Sequence, residues 1–253
     1  DWSSDVCSSD LDALEVKEAF SYGFPMAEGQ PPENAMQGHN VWPDEAWMTG
    51  GFRAAMDSLY AAACTVADGL VRGLSLAHGH DESWLSGYCR GGETISLMRL
   101  FHYFPYEKAR ERYPERTDRI GSSAHTDWGF LTLIVQQDAV SGLQVMHDGQ
   151  WRDVAPVPGA LVVNCGDYLS MLTGGSYVSP LHRVIAEHRE RLSAVFFYYP
   201  AYDARIPLLG TQSYSLLHNQ QQRGGVVDRA RLAEMSFGDY LTEKWRQVQR
   251  PRS

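Results

Sequence analysis

At 253 residues, 43% of them hydrophobic, the chain is long enough for one sizeable core and reads as a single catalytic unit acting as a monomer. Its 31 Asp and Glu outnumber 22 Lys and Arg for a net charge of −9, with no basic block to neutralise a row of phosphates or lie on an anionic bilayer, so nucleic acid and membrane partners are not expected. Contiguous apolar runs such as 160–164 and 194–199 fall far short of the roughly 20 residues that span a bilayer, and four scattered cysteines (Cys7, Cys64, Cys89, Cys165) suggest neither a zinc knuckle nor a disulfide framework, which fits a reducing cytoplasm.

In chain order, residues 1–11 (DWSSDVCSSDL) have neither the charged start nor the apolar stretch of a secretory signal, and show no helical or strand periodicity. They resemble translated sequencing-adapter read-through and are read as a non-native leader, with the native sequence expected to start near Asp12 and its true N-terminus missing. Residues 12–93 form an N-terminal remnant. Its first part, to residue 50, is rich in Gly, Pro and Asn and reads as an ordered loop anchored by Trp42 and Trp47. From Gly51 to His78, Phe52, Met56, Leu59, Tyr60, Ala63, Val66, Ala67, Leu70 and Leu74 recur at spacings of three and four, which predicts an amphipathic packing helix.

Residues 94–200 then read as seven strands: Thr94–Phe104, Phe130–Gln136, Gly142–His147, Trp151–Val154, Ala160–Asn164, His182–Ala186 and Arg191–Tyr199. Residues 201–253 add a loop and a helical spacing from Asp228 to Val248. The expected fold is therefore mainly β with flanking helices, a barrel or jelly roll. Gly159 and Gly166 read as turn residues.

In SAHTDWGF, His125 and Asp127 lie two residues apart where a strand is expected to begin, so alternation would aim both at one face. Such a pair arises readily by chance, and most such pairs are ordinary polar residues at the surface. His182, in SPLHRVI, opens another apolar strand, where a lone histidine is usually a hydrogen-bonded core residue. Together the three make the 2-His-1-carboxylate set that binds Fe(II) in non-haem oxygenases and leaves positions for O2 and a bidentate ligand, with zinc as the competing metal. Nine residues on, Arg191 and Ser193 share a strand face in RLSAVFFYYP. A planar guanidinium with a hydroxyl two residues away suits one carboxylate, although an Arg on a strand is more often in a solvated salt bridge. Phe197 lies on that same face and is a candidate substrate-pocket residue beside its plain alternative, a core phenylalanine. His102, His147 and His188 read as ordinary polar residues, as does the cluster from His78 to Glu82.

The stretch from about Gly51 to Tyr199 carries H-x-D, GLQV, PVPGALVVN-x-GD, LHRV and R-x-S in order, and so resembles the isopenicillin N synthase-like branch of the 2-oxoglutarate/Fe(II) oxygenases. The resemblance implies a double-stranded β-helix in which His125, Asp127 and His182 hold Fe(II). It implies that Arg191 and Ser193 hold the distal carboxylate of 2-oxoglutarate, with Tyr103 of LMRLFHYFP matching the tyrosine of the family's N-x-Y segment. The asparagine of that segment is replaced here by Phe101, which implies a differently shaped cosubstrate pocket. The implied reaction consumes O2 and 2-oxoglutarate, releases succinate and CO2, and hydroxylates or desaturates a small organic substrate. Alternatives are an iron oxidase or cyclase of the same fold without 2-oxoglutarate, a non-catalytic jelly-roll module, and a zinc hydrolase. Substrate choice is expected from the loops 22–47 and 202–225.

Overall fold

The runs read as strands pair into two antiparallel sheets in the computed structural model, which describes residues 17–44, 46, 48, 50–112, 120–137, 140–206 and 233–249. The larger sheet is ordered β1 (Lys17–Gly23), β2 (Leu97–Tyr103), β9 (Arg191–Tyr198), β4 (Leu131–Gln136) and β7 (Val162–Cys165). The smaller is ordered β3 (Ile120–His125), β8 (His182–Ile185), β5 (Leu143–His147) and β6 (Gln150–Asp153). These two sheets are the faces of a double-stranded β-helix, as expected.

Two strands correct the sequence reading. β1 lies in the stretch that reads as a loop, where its Gly- and Pro-rich flanks hide the alternation of KEAFSYG. Phe20 and Tyr22 point outward against Trp42, with ring centroids at 5.7 and 5.3 Å. Lys17, Ala19 and Ser21 point inward beside Tyr103, Phe101 and Arg99 of β2. β3 escapes the sequence reading because its segment, IGSSAH, carries almost no large apolar residue. The proposed leader 1–11, Trp47, most of the 202–225 loop and the start of the Asp228–Val248 helix lie outside the described residues.

The long helix α1 (Phe52–Ala77) buries Tyr60, Ala63, Ala67, Val71 and Ser75, a stripe with the predicted spacing. Among the described residues it is the one helix long and apolar enough, by length and composition, to cross a membrane, a length that contiguous apolar runs do not reveal. Its stripe rests on the outer face of the larger sheet, where Tyr60 meets Phe196 edge-on at 5.1 Å. Tyr22 Oη donates to the Met56 carbonyl at 3.0 Å. Each fully buried Val or Leu of this layer contributes about 1.5–3 kcal/mol. Three shorter helices follow: α2 (Ser83–Cys89), α3 (Tyr106–Arg112) and α4 (Asp167–Leu172). The C-terminal helix α5 spans Phe237–Gln249.

Strand pairing sorts the inner face of the larger sheet into rows. One row joins Lys17, Tyr103 and Arg191. The next joins Ala19, Phe101, Ser193 and Gln136. A third joins Ser21, Arg99, Val195, Ile134 and Val162, and the fourth joins Gly23, Leu97, Phe197, Thr132 and Asn164. Phe101, Tyr103, Ile134 and Val195 pack there against Leu143 and Val184 of the smaller sheet.

Candidate active site

β3 ends on His125, and Asp127 follows in the turn that leads to β4. Strand alternation therefore does not aim the pair, contrary to the sequence reading, since the strand is ending and not beginning. The turn is held by main-chain bonds to the start of α4. Asp167 N–H donates to the Asp127 carbonyl at 2.7 Å, Tyr168 N–H to Gly129 at 3.1 Å, and Gly166 N–H to Phe130 at 2.9 Å. Gly166 is required by this close approach and not by a turn. A Cβ there would lie 2.1 Å from the Gly129 carbonyl oxygen, whereas Gly159 does occupy a left-handed turn at φ 75°. Gly166→Ala is accordingly expected to cost about 2–3 kcal/mol of stability, as overpacking against backbone does, and to weaken metal binding by displacing the Asp127 turn. Chemical denaturation and a metal titration of the variant check both effects.

His182 opens β8 directly opposite His125. The two imidazoles and the Asp127 carboxylate offer ligand atoms within 4.8 Å of one another, the one such group among the described residues. His125 Nε2 is 3.9 Å and His182 Nε2 3.7 Å from Asp127 Oδ1. Each Nδ1 faces a carbonyl, Ser123 at 2.6 Å and Pro180 at 3.1 Å. A carbonyl only accepts, so both rings carry their proton on Nδ1 and present the Nε2 lone pair, the tautomer a metal needs. Burial, followed by the neighbouring His182, lowers the His125 pKa, which favours the neutral imidazole. Asp127 Oδ2 accepts a short hydrogen bond from the Asn164 amide. Side-chain exposure is 26% for His125 but 9% for His182 and 3% for Asp127, so the group opens toward solvent on the His125 side.

Deeper in the same barrel, Arg191 is 3% exposed, and its Nε and Nη1 have no partner. Its guanidinium carbon sits 4.8 Å from the Tyr103 ring centroid, and Nη2 donates to Gln136 Oε1 at 3.3 Å. Burial lowers its pKa from the usual value, partly offset by Tyr103. A buried cation with two unused donors fits a bound carboxylate: leaving such donors dry costs about 1–3 kcal/mol each or more, which an anion arriving there removes. Ser193, 7% exposed, shares the inward face of β9 with Arg191, as the sequence predicts. The structure thus gathers His125, Asp127 and His182 into one group and Arg191, Ser193 and Tyr103 into another on neighbouring walls of the barrel. Phe197 packs on the inner apolar cluster, in the row that ends at Asn164.

Residues 94–200, which hold both groups, match the family described as the 2OG-Fe(II) oxygenase superfamily. The chain belongs to that superfamily. Among curated relatives, homoarginine-6-hydroxylase 2-ODD-C23 of Glycine max is 33% identical over 211 residues, covering 83% of this chain and 59% of that protein. Gibberellin 20 oxidase 2 of Oryza sativa subsp. indica is 34% identical over 191 residues, covering 75% and 46%. The chain therefore spans about half of these relatives. A full-length Neurospora crassa protein, solved in complex with alpha-KG, superposes with a TM-score of 0.70 at 23% identity, over 93% of this chain and 67% of that one. JOX2, solved with 2OG, Fe and JA, does so with 0.61 at 28%, over 79% and 56%.

Superfamily membership makes the residues that sequence reasoning passes over easier to place. Asn164, which the sequence shows only as part of a motif, donates to the Asp127 carboxylate; its signal is a polar residue near the end of an apolar strand and facing inward. Lys17 is lost with β1. Its Nζ donates to Ser122 Oγ at 2.6 Å, joining the edges of the two sheets, and lies 5.2 Å from the Phe101 ring centroid. His102 and His188 are peripheral, as expected: His102 bridges Glu18 and Glu190, and His188 pairs with Glu107. His78 stacks on Trp84 while Glu82 pairs with Arg72 at 2.8 Å.

Asp167, the residue whose amide holds the Asp127 turn, also buries its carboxyl. Thr126 Oγ1 donates to it at 3.2 Å, while desolvation dominates and pushes its pKa up to about 6. A raised folded-state pKa means that this group's contribution is full below the unfolded value of 3.8 and is lost as pH rises through 6. Asp167→Asn has no such loss. Its stability relative to the parent is expected to improve by about 3 kcal/mol between pH 4 and 7, from roughly two pKa units at 1.36 kcal/mol each. Denaturant titrations at the two pH values check this, and a pH-independent difference would contradict it.

Proposed function

We propose that this protein is a non-haem Fe(II), 2-oxoglutarate-dependent dioxygenase that hydroxylates or desaturates a small organic substrate. The observation that carries the reading is the pair of sites in one barrel: two imidazoles and a carboxylate in ligand geometry, and a buried Arg191 with unused donors. In this reading His125, Asp127 and His182 hold the iron, and Arg191, Ser193 and Tyr103 hold the far carboxylate of 2-oxoglutarate. Fe(II) and 2-oxoglutarate, when bound, would supply the electrons that activate O2: the cosubstrate becomes succinate and CO2 with one oxygen atom, and the other enters the hydroxylated product or, in a desaturation, leaves as water.

The chain's own contribution is positional. Asn164 fixes the Asp127 carboxylate, and the Ser123 and Pro180 carbonyls hold the Nδ1 protons so that Nε2 faces the ion. Arg191 and Tyr103 orient the cosubstrate from the far end, and the apolar wall of Phe101, Ile134, Leu143 and Val195 keeps water from the reacting centre. In this reading Phe197, packed on the same cluster, lines the substrate's side of that wall. Relatives whose names or titles mention hydroxylation, oxidation or bound 2OG support the reaction class. We further infer a monomer working in the cytoplasm on dissolved small molecules, supported by the acidic balance and by Cys64, Cys89 and Cys165 as free thiols.

The test is anaerobic reconstitution with Fe(II), addition of 2-oxoglutarate and air, and measurement of O2 uptake and succinate against a broad substrate panel. Coupled consumption is expected. Absence of both 2-oxoglutarate binding and decarboxylation with iron-loaded protein would overturn the proposal.

A further inference from the structure

We infer that Gln136 is a positioning residue that sets the angle of Arg191 and thereby selects a 2-oxo acid with a distal carboxylate. The inference rests on the cosubstrate site proposed above and adds a residue to it. Gln136 is the last residue of β4, and its Cα pairs across the sheet with Ser193, whose own partner on the other side is Phe101. Of the four residues in that row, Ala19, Phe101, Ser193 and Gln136, only the last two are polar. The row lies one step inward from the row of Tyr103 and Arg191.

The Gln136 side chain is held at both ends. Its Nε2 donates to the Val154 carbonyl at 3.4 Å, which fixes the amide so that Oε1 points back into the barrel. Oε1 then accepts from Arg191 Nη2 at 3.3 Å. The guanidinium carbon lies 4.8 Å from the centroid of the Tyr103 ring, which is itself stacked on Phe101 at 5.7 Å. A planar guanidinium has five N–H donors in a rigid fork. With one on Gln136 and the Tyr103 ring beside it, its rotation is fixed, and the donors on Nε and Nη1 remain to meet a carboxylate. An Arg free to turn about its last bonds would have to give up that rotamer freedom on binding, and pre-organisation removes this cost. A residue without an acceptor at position 136 leaves Nη2 buried and unsatisfied, so the guanidinium would swing away to find another partner.

The measurement uses the full chain loaded with Mn(II) and kept anaerobic, so that no turnover enters. Isothermal titration gives the Kd of Mn(II), then of 2-oxoglutarate, and then of pyruvate, which shares the 2-oxo acid end but lacks the distal carboxylate. For Gln136→Leu we expect Mn(II) and pyruvate binding as in the parent and 2-oxoglutarate binding about tenfold weaker. Gln136→Glu, which places a competing carboxylate on Nη2, is expected to abolish the preference for 2-oxoglutarate over pyruvate. Gln136→Asn, shorter by one methylene, should not restore it. Unchanged 2-oxoglutarate affinity in Gln136→Leu would overturn the inference while leaving the cosubstrate site standing. Equal weakening of pyruvate and 2-oxoglutarate would reduce Gln136 to a merely structural role and overturn it as well. A parent protein with no preference for 2-oxoglutarate over pyruvate would overturn the cosubstrate reading and this inference together.

Discussion

Arg191→Leu is expected to lose 2-oxoglutarate by about 100-fold or more while keeping its metal and gaining stability in the ligand-free state. The first effect follows from removing one half of a buried, hydrogen-bonded charge pair, which costs about 2–5 kcal/mol in binding. The second follows from separation of roles, since Arg191 hydrogen-bonds Gln136 and not His125, Asp127 or His182. The third is the sharpest. Arg191 is 3% exposed and carries two N–H groups with no partner, so the ligand-free folded chain bears an uncompensated desolvation cost. Leu is shorter than Arg but carries no group that needs a partner, so it removes that cost, as replacement of buried ionic groups by hydrophobic ones often does. Thermal unfolding of ligand-free protein, Mn(II) titration and 2-oxoglutarate titration together check the three parts. A variant that is less stable and loses Mn(II) equally would contradict the division of roles.

Asp127→Ala is expected to abolish metal binding, with a loss beyond the roughly 10–100-fold that removal of an outer-shell partner costs. The fold should survive. The carboxylate accepts from Asn164, so its removal leaves that amide without an acceptor at a cost of about 1–3 kcal/mol. The ligand-free melting temperature therefore falls by several degrees, and the rise that Mn(II) or Fe(II) gives the parent disappears, because stabilisation by a ligand requires its binding. Differential scanning calorimetry with and without metal separates the two. A metal-dependent rise that persists in Asp127→Ala would exclude this carboxylate as a ligand.

The sequence shows the site more plainly than it shows why the site works. Residue types and order identify His125, Asp127, His182, Arg191 and Ser193, and alternation correctly places Arg191 and Ser193 on one inward face. The same rule misdescribes His125 and Asp127, because a strand's last residue and a turn two residues later are aimed by main-chain contacts that leave no mark in composition. β1 escapes notice for a related reason: its alternation is Phe20 and Tyr22 against Lys17, Ala19 and Ser21, so its inward positions are small or charged and resemble loop. α2 and α4 are seven and six residues long, too short for periodicity to register. Asn164 and Gln136 are invisible as functional residues because what gives each its role is a partner far away in sequence, Asp127 and Arg191.

The anchoring of the Asp127 turn has a consequence for how this scaffold can change. Its three bonds to α4 run from backbone to backbone, so they are indifferent to the side chains that the turn displays. Trp128 stands between two anchored residues and meets Trp245 of α5 edge-on at 5.7 Å. Substitutions at Trp128 are therefore expected to leave the anchoring of Asp127 in place while loosening the packing of α5 on the barrel.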